Sequence, residues 1–247
     1  MAEESTTDDN GKSPHAFVTT QWTQLRNAAN SQAENYETAL NRLCEEYWYP
    51  LYAYVRRSRR DVEEAQDLTQ GFFEFLLSKN AFKQVDQKRG RFRTFLLCSL
   101  RNFLNQQHRD ANRLKRGGGQ LKVPLEWEDA EGRYSNEPPD EDSPDRMFDR
   151  SWAQTLVQIV TKRLRLEYEK DGEQDRFEAL RFTIDDPGTT NYGEAAKQLG
   201  LTETGARTAA RKLRLRFRDL LVETISDQVE DPEDVDQEIR HLMAALG

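Results

Sequence analysis

The side chains in this chain able to do chemistry are bases and amides rather than nucleophiles. Arg207, Arg211, Arg214 and Arg218 follow one another at spacings of four, three and four, with Thr208, Lys212 and Arg216 on the neighbouring row. On a helix that spacing makes one continuous cationic stripe. A second concentration runs from Lys88 to Arg116. There Arg91, Arg93, Arg101, Arg109 and Arg113 have only Asp110 to balance them, and Asn102, Asn105, Gln106 and Gln107 add amides. Guanidinium groups meet phosphates and amides bond base edges, so the chemistry on offer is recognition of nucleic acid.

Covalent chemistry has no such support. His15, His108 and His241 are isolated from one another, and Cys44 and Cys98 have no CxxC spacing. No carboxylate set stands at metal-binding spacing, and no nucleophile comes with an activated base and an orienting partner. The reading is a protein that is not an enzyme, needs no cofactor and holds no metal. Its two cysteines are expected as buried free thiols.

The elements that must position these residues read as helices throughout. NYGEAAKQLGLTETGARTAARKLRLRFR, from Asn191 to Arg218, is two helices about a tight turn. Ala195, Ala196 and Leu199 form the inner stripe of the first, and Ala206, Ala209, Ala210, Leu213 and Phe217 that of the second. Asn191 with Glu194 reads as a capping box, and Gly200 can take the left-handed conformation that ends a helix. Small residues belong where two helices cross steeply over a short turn. A cationic helix after such a turn suits the major groove of DNA. A solvated arginine face on a core helix is the other reading of the same stripe.

Upstream, Leu40, Leu43, Tyr47, Leu51, Tyr54 and Val55 recur at helical spacing from about Tyr36 to Arg57, with Pro50 expected to bend or split the helix. Tyr47, Trp48, Tyr49, Tyr52 and Tyr54 read as packing rather than as a base-stacking platform. Asp61 can cap the next helix, whose inward stripe is read as Val62, Ala65, Leu68, Phe72, Phe75 and Leu76. Asp67, Gln70, Phe73 and Glu74 then lie away from that stripe, and a phenylalanine among acids there reads as a protein-docking face, or as a core stripe somewhat wider than usual. In the helix from about Phe92 to Arg113, Phe92, Phe95, Leu96, Ser99, Leu100 and Phe103 face inward.

The chain has 247 residues and a formal charge of −8, so a nucleic-acid partner requires segregated charge. Acids crowd the first residues, the Glu126–Asp149 segment and the stretch after Glu223, away from both basic stretches. Local field decides phosphate binding. Gly117 to about Pro144, opening on three consecutive glycines and then carrying four prolines among acids, reads as a linker. A second helical unit follows with Met147, Phe148, Trp152, Leu156, Ile159 and Val160, then Phe177 and Leu180; the chain ends in an amphipathic helix carrying Val235, Ile239, Leu242 and Leu246. Residues up to about 15 read as disordered, with Phe17, Trp22 and Leu25 as the first packing anchors. The opening MAEESTTDDN is polar and acidic, and no apolar run reaches bilayer length, so the expectation is a cytoplasmic chain with no membrane partner.

In order, EYWYPLYAYVRR, EEAQDLTQGFFEFLL, RGRFRTFLLCSLRNFLNQQHR and NYGEAAKQLGLTETGARTAARKLRLRFRDLL resemble bacterial sigma factors of the extracytoplasmic-function (ECF) class, and the end of the chain is similar to the groups with a C-terminal extension. The likeness covers most of residues 36–116 and 147–222. It implies an all-α fold of two small helical domains, a sigma-2-like bundle and a sigma-4-like helix-turn-helix, joined by an acidic flexible linker. The implied division is a disordered tail at 1–16, the first domain at 17–116, the linker at 117–146, the second domain at 147–225 and the extension at 226–247.

The resemblance also implies roles. Asp67, Leu68, Gln70, Phe73 and Glu74 would dock the clamp helices of the largest subunit of core RNA polymerase, and the second domain would meet the flap of the second-largest. Phe95, Asn102 and Gln106, with Arg91, Arg93, Arg101, Asn105 and Arg109 holding the strand, would open and read the minus-ten promoter element as single-stranded DNA. Thr202, Glu203, Arg207, Thr208, Arg211, Lys212 and Arg214 would read the minus-thirty-five element as duplex. An anti-sigma factor or another regulator is a further implied partner. Phe95 stands where many members carry tryptophan, and Gly205, Ala206, Ala209 and Ala210 replace bulkier residues of the commoner recognition helix. Two readings compete with this one on the residues alone: a helix-turn-helix regulator that is not a polymerase subunit, and an adaptor whose two modules bind only proteins.

Overall fold

A computed structural model describes residues 46–58, 60–77, 92–111, 127–136, 143–185, 188, 191–226, 228–229 and 233–247. The N-terminal tail, Phe17, Trp22, Leu25, Leu40, Leu43, Cys44, Arg91 and Arg113, for which the sequence sets expectations, lie outside these residues. Every regular element among the described residues is a helix, in agreement with the all-α expectation.

Residues 46–57 are helical (α1), continuous through Pro50, and bury Tyr47, Tyr49, Leu51, Tyr52 and Val55. The tyrosines therefore pack, as their spacing suggested. Helix α2, Val62–Leu77, starts where the Asp61 carboxylate accepts the Glu64 N–H at 2.8 Å, with Glu63 and Glu64 in the first turn. Helix α3, Phe92–Ala111, lays Phe92, Leu96, Leu100 and Phe103 inward. Phe72 of α2 meets Phe103 with ring centroids 5.6 Å apart, and Tyr47 stands edge-on to Phe92 at 5.4 Å.

Part of the stretch read as linker is ordered. Trp127–Ser135 form helix α4, which buries Ala130 and places Glu131 against α1. The Glu131 carboxylate accepts from the Tyr52 hydroxyl and from Arg56 Nη2 at 2.7 Å, while Arg133 lies 3.6 Å above the Tyr49 ring. The segment is too polar for a core of its own, but one alanine, two charged anchors and a tyrosine suffice to seat it on another helix. Hydrogen bonds from Arg56 hold the Glu131 carboxyl below its ordinary range, and burial followed by the Glu131 bond pushes the Tyr52 hydroxyl up.

Helix α5, Pro144–Lys170, starts a little before the expected Met147: Ser143 is the N-cap, its hydroxyl accepting the Arg146 N–H, and Pro144 sits in the first turn, where no partner for an N–H is needed. Met147, Phe148, Trp152, Leu156, Val160 and Leu164 form its buried stripe. Short helices α6 (Gln174–Leu180) and α7 (Phe182–Asp185) lead into α8 (Tyr192–Leu199) and α9 (Glu203–Ser226), and α10 (Asp234–Leu246) closes the chain. Helix α9 packs on both α5 and α8, and α10 packs on α5.

The buried apolar side chains of α1–α3 and those of α5–α10 form one continuous cluster. At its seam, Gln228, just past α9, accepts from the Tyr47 hydroxyl at 2.8 Å and donates to Glu46 at 3.1 Å. No helix among the described residues is long and apolar enough to cross a membrane.

Candidate nucleic-acid interface

The turn between α8 and α9 is built as its residues require. Gly200 sits at φ +65°, and the Leu201 N–H reaches back to the Ala196 carbonyl at 2.8 Å, closing the first helix with a left-handed cap. Two residues later Thr202 caps α9, its hydroxyl accepting the Gly205 N–H at 3.1 Å. Ala195, Ala196, Ala206, Ala210 and Leu213 are buried at the crossing, with Leu199, Ala209 and Phe217 partly so. The capping box is absent: the Asn191 amide donates instead to the Glu194 carboxylate at 2.7 Å.

With that face buried, α9 turns Glu203, Arg207, Thr208, Arg211, Lys212, Arg214 and Arg218 to the outside. Arg211, Lys212 and Arg218 make no ion pair among the described residues, so their charges face water. Arg207 is held on two sides, donating to Glu203 at 2.6 Å and lying 4.6 Å over the Tyr192 ring. Arg214 donates to the Tyr192 hydroxyl at 3.2 Å. Tyr192 is thus a positioning residue that sequence reasoning missed, organising two arginines of the stripe from the first turn of the preceding helix. An aromatic one residue after the Asn191 cap was its only signal. Thr208 turns its hydroxyl back to the Thr204 carbonyl at 3.0 Å.

Arg216 leaves the row. It donates twice to Glu167 of α5, at 2.6 and 2.8 Å, and Glu223 lies 3.5 Å away. Hydrogen bonds from Arg216 hold the Glu167 carboxyl below its ordinary range. Its work is to fasten α9 to α5.

On α3, Asn102, Asn105, Gln106 and Arg109 share an exposed face, and Phe95 lies half-buried against Phe92, with ring centroids 6.2 Å apart. Arg101 donates to the Tyr54 hydroxyl at 3.3 Å and pairs with Asp145 of α5. Beside it a shallow pocket of about 450 Å³ is lined by Tyr54, Arg60, Arg101, Asn105 and His108, among others.

Arg93 is a correction. It is only 7% exposed, enclosed by Asp149 of α5, Glu238 of α10 and the Trp152 ring, 4.8 Å from its guanidinium. The helical repeat explains this: nine residues at about 100° each put Arg93 on the side of α3 opposite Asn102. In this conformation Arg93 is not available to a strand lying on the amide face.

The proposed docking face on α2 needs a second correction. Phe73 is fully buried, whereas Phe75 is 41% exposed. The inward stripe is Ala65, Thr69, Phe72, Phe73 and Leu76, with the Thr69 hydroxyl bonded to the Ala65 carbonyl at 2.7 Å. A threonine can sit inside once its hydroxyl has that partner, and its burial rotates the stripe from Phe75 to Phe73. Phe75 and half-buried Leu68 therefore supply the apolar part of the outward surface, flanked by Asp67, Gln70 and Glu74. Cys98, expected inside, is exposed on α3. No group of side chains suited to a metal ion occurs among the described residues.

Residues 27–225 match a protein-family model described as ECF sigma factor. Neither the curated proteins nor the solved structures contain a match.

Proposed function

We propose a division of labour for this chain, which belongs to the ECF sigma factor family. As a member it is a sigma factor, a non-enzymatic subunit that joins core RNA polymerase and directs promoter-specific transcription initiation. In our reading the second unit, residues 147–225, places α9 in the major groove of the minus-thirty-five element. Arg207, held by Glu203 and Tyr192, is aimed at base edges, and Arg211, Lys212 and Arg214 meet phosphates. The first unit, 17–116, presents Asn102, Asn105, Gln106 and Arg109, with Phe95 behind them, to the unpaired minus-ten strand. Trapping a flipped base there offsets the few kcal/mol of unstacking.

Leu68 and Phe75, flanked by Asp67, Gln70 and Glu74, form the proposed seat for the polymerase clamp helices, and the flap of the second-largest subunit meets the second unit. Catalysis stays with the polymerase. The place of action is the cytoplasm, where polymerase and promoter are found.

The observation that carries this reading is the two-faced α9: alanines against α8 on one side, exposed cations on the other, of which Arg211, Lys212 and Arg218 make no ion pair among the described residues, straight after a left-handed turn. Reconstituted run-off transcription tests it. Core polymerase supplied with this protein as the sole added factor is expected to start at discrete sites on genomic templates. A chain that binds DNA or polymerase but never yields discrete starts would be a regulator or an adaptor instead.

A further inference from the structure

We propose that Arg207 is committed to reading a guanine, and that Glu203 and Tyr192 are the positioning residues that commit it. The inference rests on the reading that α9 enters the major groove of the upstream element, and it adds which base the helix selects and through which atoms.

Glu203 takes one edge of the guanidinium. Arg207 donates from Nη2 at 2.6 Å and from Nε at 3.2 Å to the same carboxylate oxygen, as residues four apart on one helix face can without distorting the backbone. Tyr192 takes one face. Its ring centroid lies 4.6 Å from the guanidinium carbon, within the range where a ring quadrupole attracts a cation. The ring is itself fixed: it is 8% exposed, stands edge-on to Phe182 of α7 at 5.6 Å, and its hydroxyl accepts from Arg214 Nη1 at 3.2 Å.

What stays open is the end of the fork, Nη1 and the outer hydrogen of Nη2, and Nη1 makes no hydrogen bond among the described residues. Two parallel donors need two adjacent acceptors. In the major groove guanine supplies them, O6 beside N7, whereas adenine sets an acceptor beside a donor, thymine one acceptor beside a methyl group, and cytosine a donor. A phosphate would also accept the fork. The Glu203 carboxylate works against that outcome, since it offsets the charge of Arg207 and repels an anion at short range. Base reading survives the offset because it depends on the direction of two hydrogen bonds more than on net charge. Arg207 also stands in the second turn of α9, in the N-terminal part from which a recognition helix reaches base edges. Arg211, Lys212 and Arg218, without an ion pair among the described residues, keep their charge for the backbone.

The test uses the full chain assembled with core polymerase. One promoter located by run-off transcription is rebuilt as a library with its upstream element randomised, and the bound fragments are sequenced. The unsubstituted chain should favour guanine over adenine about tenfold at one position. Glu203→Ala, a surface change, should cut that preference to about twofold or less and raise affinity for arbitrary duplex about threefold, because a repelling carboxylate has gone. Tyr192→Leu should lose the same preference, and Tyr192→Phe, which keeps the ring, should retain it. Preferences at the other positions should not move, which separates positioning from a general loss of fold. Replacing the selected guanine by its analogue lacking N7 should weaken binding by the unsubstituted chain about fivefold and leave that of Glu203→Ala nearly unchanged.

If circular dichroism shows lost helix in Tyr192→Leu, Glu203→Ala and the guanine analogue decide alone. No guanine preference in the unsubstituted chain, or one that Glu203→Ala keeps in full, overturns the inference while the promoter reading stands. Absence of any discrete start removes both together.

Discussion

Arg211 and Arg216 lie on one helix, five residues apart, and composition alone treats them as equal members of a basic cluster. Their surroundings predict opposite phenotypes on alanine substitution. Arg211 is exposed and makes no ion pair, whereas Arg216 makes two hydrogen bonds to Glu167 and belongs to a network that continues through Glu223 to Arg163 and Thr224. Each phosphate contact contributes about 0.9 to the slope of log affinity against log salt, so a fourfold rise in salt weakens binding about 3.5-fold per contact.

Arg211→Ala should therefore flatten that slope by about 0.9 and leave the melting temperature where it was. Arg216→Ala should leave the slope alone. A partly solvated pair of this kind contributes about 0.5–1 kcal/mol, which lowers Tm by about 1–4 °C in a chain of this size. The assay is a salt titration of duplex binding by anisotropy, run beside thermal melts of the same preparations. If Arg216→Ala flattens the salt dependence as much as Arg211→Ala, the assignment of Arg216 to the α5 junction is wrong, and with it the division of the stripe.

The two phenylalanines of α2 give a second contrast. Phe73→Ala should cost about 3–5 kcal/mol by opening a cavity, measured by urea denaturation, while Phe75→Ala should keep most of the stability and weaken binding to core polymerase. Glu131 supplies a pH test. Its carboxyl is held below the ordinary value by Arg56, so the stabilisation is present above the unfolded-state value of about 4.3 and is lost as pH falls through the lower folded one. Acid melts of Glu131→Gln should accordingly show a shallower loss of stability in that window than the parent, and identical curves would mean that α4 is not seated through this pair.

How far the sequence disclosed this arrangement depends on the kind of information each feature uses. The left-handed glycine, the alanine contact and the cationic outer row of the helix-turn-helix are local, set by residues within a few positions of one another, and all were legible. The stripe of α2 was ambiguous because GFFEFLL offers apolar residues in two overlapping registers; burial of Thr69, which depends on its neighbours in space, decides between them. Arg93 reads as a DNA-facing arginine and Arg216 as a member of the row beside the cationic stripe because their acidic partners lie 56 and 49 positions away, at distances periodicity does not reach. The helix inside 117–146 was hidden for the same reason, since its anchors are on α1.

Helix α9 runs unbroken for 24 residues, about 36 Å at 1.5 Å per residue. Its first half carries the exposed cations proposed to read the groove, and its second half, with Leu220, Leu221 and Ile225, is embedded in the body of the protein. Such a rod behaves as a lever with its pivot inside. A tilt of a few degrees at the embedded end, too small to disturb any side-chain contact there, becomes a displacement of ångströms at the far tip, enough to move a guanidinium from one base step towards the next. Substitutions deep in the fold, remote from any nucleotide, can therefore retune promoter choice.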